Sequence, residues 1–209
     1  HHTTLKAFVA TLGYSISTFV KFYYHERSDA WIDGLESAFQ FFGGVPKDVL
    51  FDNAKAIIIE RDAYQDGQHR WNAKLLDCAK KYNFRPRVCK PYRAQTKGKV
   101  ERFNSYLKSS FIVPLKASLK MVDLSLDVDM ANAYIGRWLS ETANQRIHAT
   151  TKEKPSTRLL EEQQYFSSLP LFNDGSKKSV IDDVSPSSLI PHESVQHPLS
   201  IYDELLEVS

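Results

Sequence analysis

Residues Arg85 to Lys108 read RPRVCKPYRAQTKGKVERFNSYLK and set eight Lys or Arg against one carboxylate, Glu101. A single acid does not balance eight cations, which points to chemistry as its purpose. Arg85 to Cys89 reads as a strand, and Gly98 gives a flexible end to the loop that follows. Val100, Phe103 and Leu107 then recur at helical spacing, while Glu101, Asn104, Ser105 and Lys108 share another face. A basic loop running into a helix with a single Glu suits a metal-dependent enzyme acting on a polyanion. The cations hold phosphates, and the carboxylate holds a divalent ion against them. A solvated basic helix with Lys97 and Glu101 paired at i, i+4 accounts for the same residues.

A second informative stretch lies upstream. Val49 to Lys55 reads VLFDNAK, a short apolar run of the kind a buried strand uses, ended abruptly by Asp52 and Asn53. Ligands of open α/β sheets collect at the carboxyl ends of strands, where this spacing places Asp52. The bland alternative is an Asx turn or a cap for the next segment. Taken with Glu101, Asp52 completes a pair of carboxylates from separate segments that can share Mg²⁺, a cation that takes hard oxygen ligands.

FDN at Phe51 to Asn53, CKPYRAQTKGKVERFN at Cys89 to Asn104 and ANQRIHATTKEKP at Ala143 to Pro155 resemble the catalytic region of the IstA-type insertion-sequence transposases. That family belongs to the wider integrase and transposase class, with a ribonuclease-H-like fold and a D, D, E carboxylate triad. The resemblance runs from about Lys6 to about Leu160, and KGKVERF is its most specific part. It implies that Asp52 and Glu101 are the second and third catalytic carboxylates, holding Mg²⁺ or Mn²⁺. It also implies that Asn104 and Lys108 lie along DNA. Lys90, Arg93, Lys97, Lys99 and Arg102 join them as candidate DNA contacts, because phosphate binding needs clustered cations. Arg146 and His148 sit where the family has an Arg-x-His motif.

The resemblance further implies phosphodiester cleavage followed by joining of DNA strands, with transposon ends and target DNA as substrates. A homodimer or higher oligomer is expected, since two ends must be joined, and a partner ATPase of the IstB type comes with the family. Two rival readings share parts of this evidence. One is a ribonuclease-H-like nuclease without strand transfer, and the other is a DNA-binding module without catalysis.

The pattern departs from the family at its start. The first catalytic Asp should lie on a strand ahead of the apolar run that begins near Leu5, and no Asp precedes Asp29. Asp29 opens the helix SDAWIDGLESAF and reads as its cap. The expectation is therefore an α/β, ribonuclease-H-like mixed sheet flanked by helices, lacking its first strand, folded but catalytically inactive as it stands.

Composition fits a globular chain. Of 209 residues 42% are hydrophobic and 12% aromatic, enough for one good core with an appendage. The formal net charge is only +2, so affinity for DNA must come from local clustering. Two cysteines give neither a disulfide framework nor a zinc pattern, and Cys78, with Leu75 and Leu76, reads as a buried reduced thiol. No apolar run approaches the ~20 residues of a membrane span, and a reducing bacterial cytoplasm is the simplest setting.

Along the chain, Leu5 to Leu12 and Thr18 to Tyr24 read as a hairpin. A helix from Asp29 to Phe42 buries Trp31, Leu35, Ala38, Phe39 and Phe42, and FGGVP ends it. After the Asp52 strand come AIIIERD and QHRWN around an Asp-Gly turn, a second hairpin, then a helix from Ala73 to Tyr82. Asp127 to Thr142 reads as a helix with Met130, Ala133, Tyr134, Trp138 and Leu139 on its packed side. The sequence divides into a catalytic core over 1–112, a helical extension over 113–172 and a linker with a terminal tail over 173–209. There are no internal repeats, no phosphate-cradling glycine loop and no readable Ser-His-Asp set.

Overall fold

A computed structural model describes residues 5–51, 56–65, 68–88 and 102–170, with backbone alone over 61–65 and at 68. These residues belong to one unit that ends at Leu171. Among the described residues the architecture is mixed α/β, with strands in three two-stranded pieces.

Alternation of buried and half-buried residues makes the first piece. Strands β1 (Lys6–Thr11) and β2 (Thr18–Tyr23) pair antiparallel from Lys6↔Tyr23 to Thr11↔Thr18, as the hairpin reading expects. Helix α1 (Ser28–Phe42) follows. Its buried residues are Leu35, Ala38, Phe39 and Phe42 as expected, with Ala30 and Gly34 added, while Trp31 is only half-buried. Gly34 is required there, because a Cβ would come within 2.6 Å of the Phe8 ring. Asp29 does not cap α1. The cap position is Arg27, no side chain bonds the first turn, and Asp29 lies inside that turn with its carboxylate 3.9 Å from His25. An acid there still complements the helix dipole. Gly43, in the left-handed region at φ 75°, closes the helix.

Strand β3 (Asp48–Phe51) pairs in parallel with the later strand β6 (Arg85–Val88), with Phe51 opposite Val88. Between them lie the hairpin of β4 (Ile58–Gln65) and β5 (Gln68–Trp71), antiparallel with register shifts, and helix α2 (Ala73–Tyr82). The expected Asp66-Gly67 turn lies outside the described residues. Asn72 caps α2, its side chain accepting from the Lys74 amide at 2.9 Å.

Helix α2 buries Leu75, Cys78, Ala79 and Tyr82, whereas Leu76 is 48% exposed. Leu76 is one residue, about 100°, round from the buried line, so it turns to solvent instead of joining Leu75 as the sequence suggests. Burial pushes the Cys78 thiol up from 9.0 to about 11. The folded chain therefore favours the neutral thiol, and the stability this contributes is fully present below pH 9 and lost as pH rises from about 9 to 11. Iodoacetamide at pH 8 should leave Cys78 unmodified in the folded chain and alkylate it after denaturation, read by peptide mass spectrometry. Rapid alkylation of the folded chain would contradict the burial.

From 102 to 121 the chain is one helical run. It consists of α3 (102–107), a π-type turn at Lys108–Ile112 and α4 (Val113–Met121). Pro114 has no N–H for the carbonyl one turn back, and the widened turn before it absorbs that loss. Helix α5 (Val128–Trp138) starts at Asp127, whose carboxylate accepts from the Met130 amide at 2.8 Å, and passes into a second π-type turn at Leu139–Ala143. Its buried line is Val128, Ala131, Ile135 and Leu139, with Ala133 exposed. That line is rotated from the expected one because Asn132 must face β2. Its side-chain oxygen accepts from the Phe22 amide at 2.8 Å and its nitrogen donates to the Phe22 carbonyl at 2.9 Å. Asn144 does the same for Thr18, at 2.9 and 3.0 Å. Two amide side chains thus bond the outer edge of β2 as a neighbouring strand would, which blunts an edge otherwise open to pairing.

Helix α6 (Pro155–Glu162) and the short turn Gln163–Tyr165 finish the described chain. Glu162 accepts from the amides of Tyr14 and Ser15, and the Arg158 guanidinium donates to the Tyr14 carbonyl. Beyond them, Val45 and Ser167 exchange backbone bonds at 2.9 Å.

Two hydrophobic clusters result. One gathers Phe8, Leu35, Phe39, Phe42, Phe51, Leu75 and Phe84 around α1 and α2. The other joins Val20 and Phe22 of β2 to Leu107, Phe111, Ala131, Ile135 and Leu139. Phe19 and Phe41 pack against both.

Candidate active site and nucleic-acid interface

Helix α3 divides its residues between core and solvent as the periodicity expects. Leu107 is buried and Phe103 partly so, while Arg102, Asn104, Ser105 and Lys108 are exposed. The inward side is held by rings: Phe103 and Tyr106 lie 6.5 and 5.4 Å from Trp138, and Phe111 lies 5.4 Å from it as well. Trp138 also donates from Nε1 to Ser110 Oγ at 3.4 Å. Rings packed this way fix the rotation of α3 about its axis, and with it the direction of the exposed polar face.

Asp52, Glu101, Lys90, Arg93, Lys97 and Lys99 lie outside the described residues. Their neighbours in sequence are described. Asp52 directly follows Phe51, buried and in ring contact with Trp31 and Trp71 at 6.4 and 5.9 Å. The basic segment directly follows Val88 in sequence. Since Phe51 and Val88 are partners in a parallel pair, both segments depart from the carboxyl end of the same two strands, where α/β folds place their ligands. The described chain resumes at Arg102, the first residue of α3.

The cation count of the basic stretch changes in one respect. Arg85 and Arg87 both reach Asp48, at 3.1 and 3.0 Å, and these guanidinium groups, Arg87 foremost, hold its carboxyl below the usual carboxylate range. Asp48 stands 37 and 39 residues before them, so nothing in the local spacing announces the pairing. Parallel pairing makes it, by setting Asp48 opposite Arg85.

Arg146 is placed by the Asn144 anchor two residues before it. Its guanidinium carbon lies 4.4 Å over the Tyr106 ring. His148 closes a local turn, its amide donating to the Glu153 carbonyl at 3.0 Å and its Nδ1 accepting from the Thr150 amide at 3.4 Å. Sequence reading singles out the Arg-x-His pair but not Tyr106, since the stacking partners are 40 residues apart. Among the described residues no cluster of three His, Cys, Asp or Glu side chains is arranged to hold a metal, and no helix is long and apolar enough to cross a membrane.

No protein-family model matches the chain. Individual proteins do. The chain is 39% identical over 158 residues to the IS5376 transposase of Geobacillus stearothermophilus, an alignment covering 76% of this chain and 37% of that one. It is 35% identical over 162 residues to the transposase for insertion sequence element IS21 of Pseudomonas aeruginosa, covering 78% and 39%. The transposase for IS640 of Shigella sonnei aligns at 35% over 150 residues, covering 72% and 44%. Over the aligned stretch, which is most of its length, the chain is homologous to insertion-sequence transposases. Its relatives include the IS21 transposase itself, in line with the resemblance of the motifs. The chain spans 37 to 44% of the length of these three relatives. One chain of a cryo-EM structure of a simian T-cell lymphotropic virus intasome with the PP2A regulatory subunit B56γ superposes at a TM-score of 0.48 and 18% identity, over 74% of this chain and 53% of that one.

Proposed function

We propose that the chain is the catalytic segment of a DNA transposase that cleaves insertion-sequence ends and transfers the strands to target DNA. The observation that carries this reading furthest is the Phe51↔Val88 register, taken with the homology. It sets side by side the two strand ends that precede Asp52 and the basic segment in sequence, and the α3 face follows that segment. In this reading Asp52 and Glu101 are the carboxylates that meet the reacting phosphate through divalent metal. A set of two carboxylates offers only hard oxygen donors, which suits Mg²⁺ or Mn²⁺, and the bound metal would supply Lewis-acid stabilisation of the displaced oxygens.

Lys90, Arg93, Lys97, Lys99, Arg102, Asn104 and Lys108 hold and orient the DNA backbone in this reading. Holding the phosphodiester in line with its attacking hydroxyl converts much of the entropic barrier into binding.

The finer fold assignment belongs to the same proposal. Among the described residues β1 and β3 each pair on one edge only, and α1 joins both pieces through Trp31, whose ring meets Phe8 edge-on at 5.6 Å and Phe51 at a tilt at 6.4 Å. We read the two free edges as sides of a slot for one more strand, which completes a ribonuclease-H-like sheet and brings the first Asp of the triad. Residues 1–112 are then the core, 113–172 its helical extension and 173–209 a tail. Assembly as a dimer or larger, with an ATPase of the IstB type, follows from joining two ends.

The test is a cleavage and strand-transfer assay with uncut and pre-cleaved insertion-sequence ends, labelled target DNA and Mg²⁺. A protein of the relatives' full length should give joined products, and residues 1–209 alone should not. Cleavage without joining by the full-length protein would establish the nuclease reading. DNA binding with neither activity would leave a binding module.

A further inference from the structure

We propose that Arg146 is a phosphate-binding residue of the α3 face, held ready for its contact by Tyr106. This rests on the reading of that face as a DNA surface. Arg146 is exposed, its guanidinium lies 4.4 Å over the Tyr106 ring, and it pairs with no carboxylate among the described residues. The contrast with its neighbours is informative. Arg137 is tied to Glu141 at 2.8 Å and Arg158 to Glu153 at 2.8 Å. A guanidinium lying on a ring keeps its charge and its N–H fork, so the stack positions it without satisfying its donors.

The platform itself is rigid. Tyr106 is backed by Trp138 at 5.4 Å, Trp138 by Phe111 at 5.4 Å, and Phe111 by Phe22 of β2 at 6.1 Å. The backbone at Arg146 is fixed as well. Its amide donates to the Thr142 carbonyl at 3.1 Å, and Asn144 is clamped to Thr18. At 100° per residue Asn104, Lys108, Ser105, Ser109 and Tyr106 follow one another round α3 and the turn after it. Arg146 on Tyr106 therefore extends the polar belt beyond the helix by one more cation. A side chain already immobilised loses less rotamer freedom when it meets a phosphate, and a guanidinium can meet it with two parallel bonds.

The test measures binding of residues 1–209 to a 30-base-pair duplex of arbitrary sequence over a range of salt, with melting temperature as a check on folding. Arg146→Gln, which keeps a planar amide on the ring, should lower the slope of log K against log salt by about 0.9 and weaken binding on the order of tenfold at 0.1 M salt. Arg146→Lys should keep the slope. Tyr106→Leu should also keep the slope but weaken binding about threefold, because the cation must then be ordered on binding. Lys108→Ala serves as the reference for a phosphate contact on the same face. A slope unchanged in Arg146→Gln while Lys108→Ala lowers it overturns the assignment of Arg146 and leaves the DNA surface standing. An unmodified chain that does not bind the duplex overturns the reading beneath both.

Discussion

Glu101→Gln in a protein of full length should lower strand transfer by about 10³-fold, and Asp52→Asn should do the same, because several kcal/mol of stabilisation at the reacting phosphate depend on carboxylates that hold metal. Both changes keep shape and remove one negative charge. Binding to DNA should therefore stay the same or tighten slightly, since a carboxylate among phosphates repels them. The two losses should not multiply in the double variant, because ligands of one metal site act as a unit. Gel analysis of joined products, alongside binding isotherms for the same proteins, separates the effects. Strand transfer within tenfold of the parent in either variant would remove that residue from the triad. Parallel loss of binding and joining would instead indicate a damaged fold.

The largest loss of stability should come from Asn144→Ala. Asn144 is only 4% exposed, and its amide satisfies both the N–H and the C=O of Thr18, itself 3% exposed. Truncation leaves two buried backbone groups unpaired at about 1 to 3 kcal/mol each, so a total of about 3 kcal/mol is expected. For a chain of this size that lowers the melting temperature by roughly 6 to 12 °C. Asn132→Ala removes the same pair of bonds from Phe22 where the contact is only part-buried. Water can partly replace the amide there, and the loss should be about 1 kcal/mol. Thermal melts of the two variants give the ranking directly. An Asn144→Ala protein that melts within 2 °C of the parent would show that water reaches Thr18 after all, a shift of less than about 1 kcal/mol.

How much the residues announce depends on how far apart the interacting groups lie. The β1–β2 hairpin, α1, the β4–β5 pairing and the two sides of α3 follow from periodicity within a window of a few residues, and each stands where that periodicity puts it. On the packed side of α5, Leu139, Tyr134 and Trp138 lie where the pattern puts them, whereas Ala133 is exposed and the buried line runs through Val128, Ala131 and Ile135. The orientation of α5 answers to Phe22, 110 positions away, through a polar Asn that hydrophobic counting scores as surface. Asn144 escaped notice for the same reason. Leu76 and Asp29 show a smaller failure, in which residue type suggests burial or capping and the helix turns the side chain elsewhere. At the candidate site, local sequence brought out Asp52, Glu101 and the cation-rich loop because unusual composition is visible without a fold. The pairing of Arg85 and Arg87 with Asp48, and the seat of Arg146 on Tyr106, needed strand pairing and helix packing to appear.

The clamp on the first hairpin also has a meaning in time. Its edge strand and its turn are held by Asn144 and Glu162, which follow Thr18 by 126 residues and Ser15 by 147. On a ribosome adding about 5 to 20 residues per second, the hairpin emerges roughly 6 to 30 s before those partners exist. Throughout that interval the growing polypeptide presents an unfinished β edge beside Val20 and Phe22, a surface on which nascent copies from one polysome can join. Synthesis at high copy number should therefore be limited by loss to aggregates during translation, more than by the stability of the finished protein.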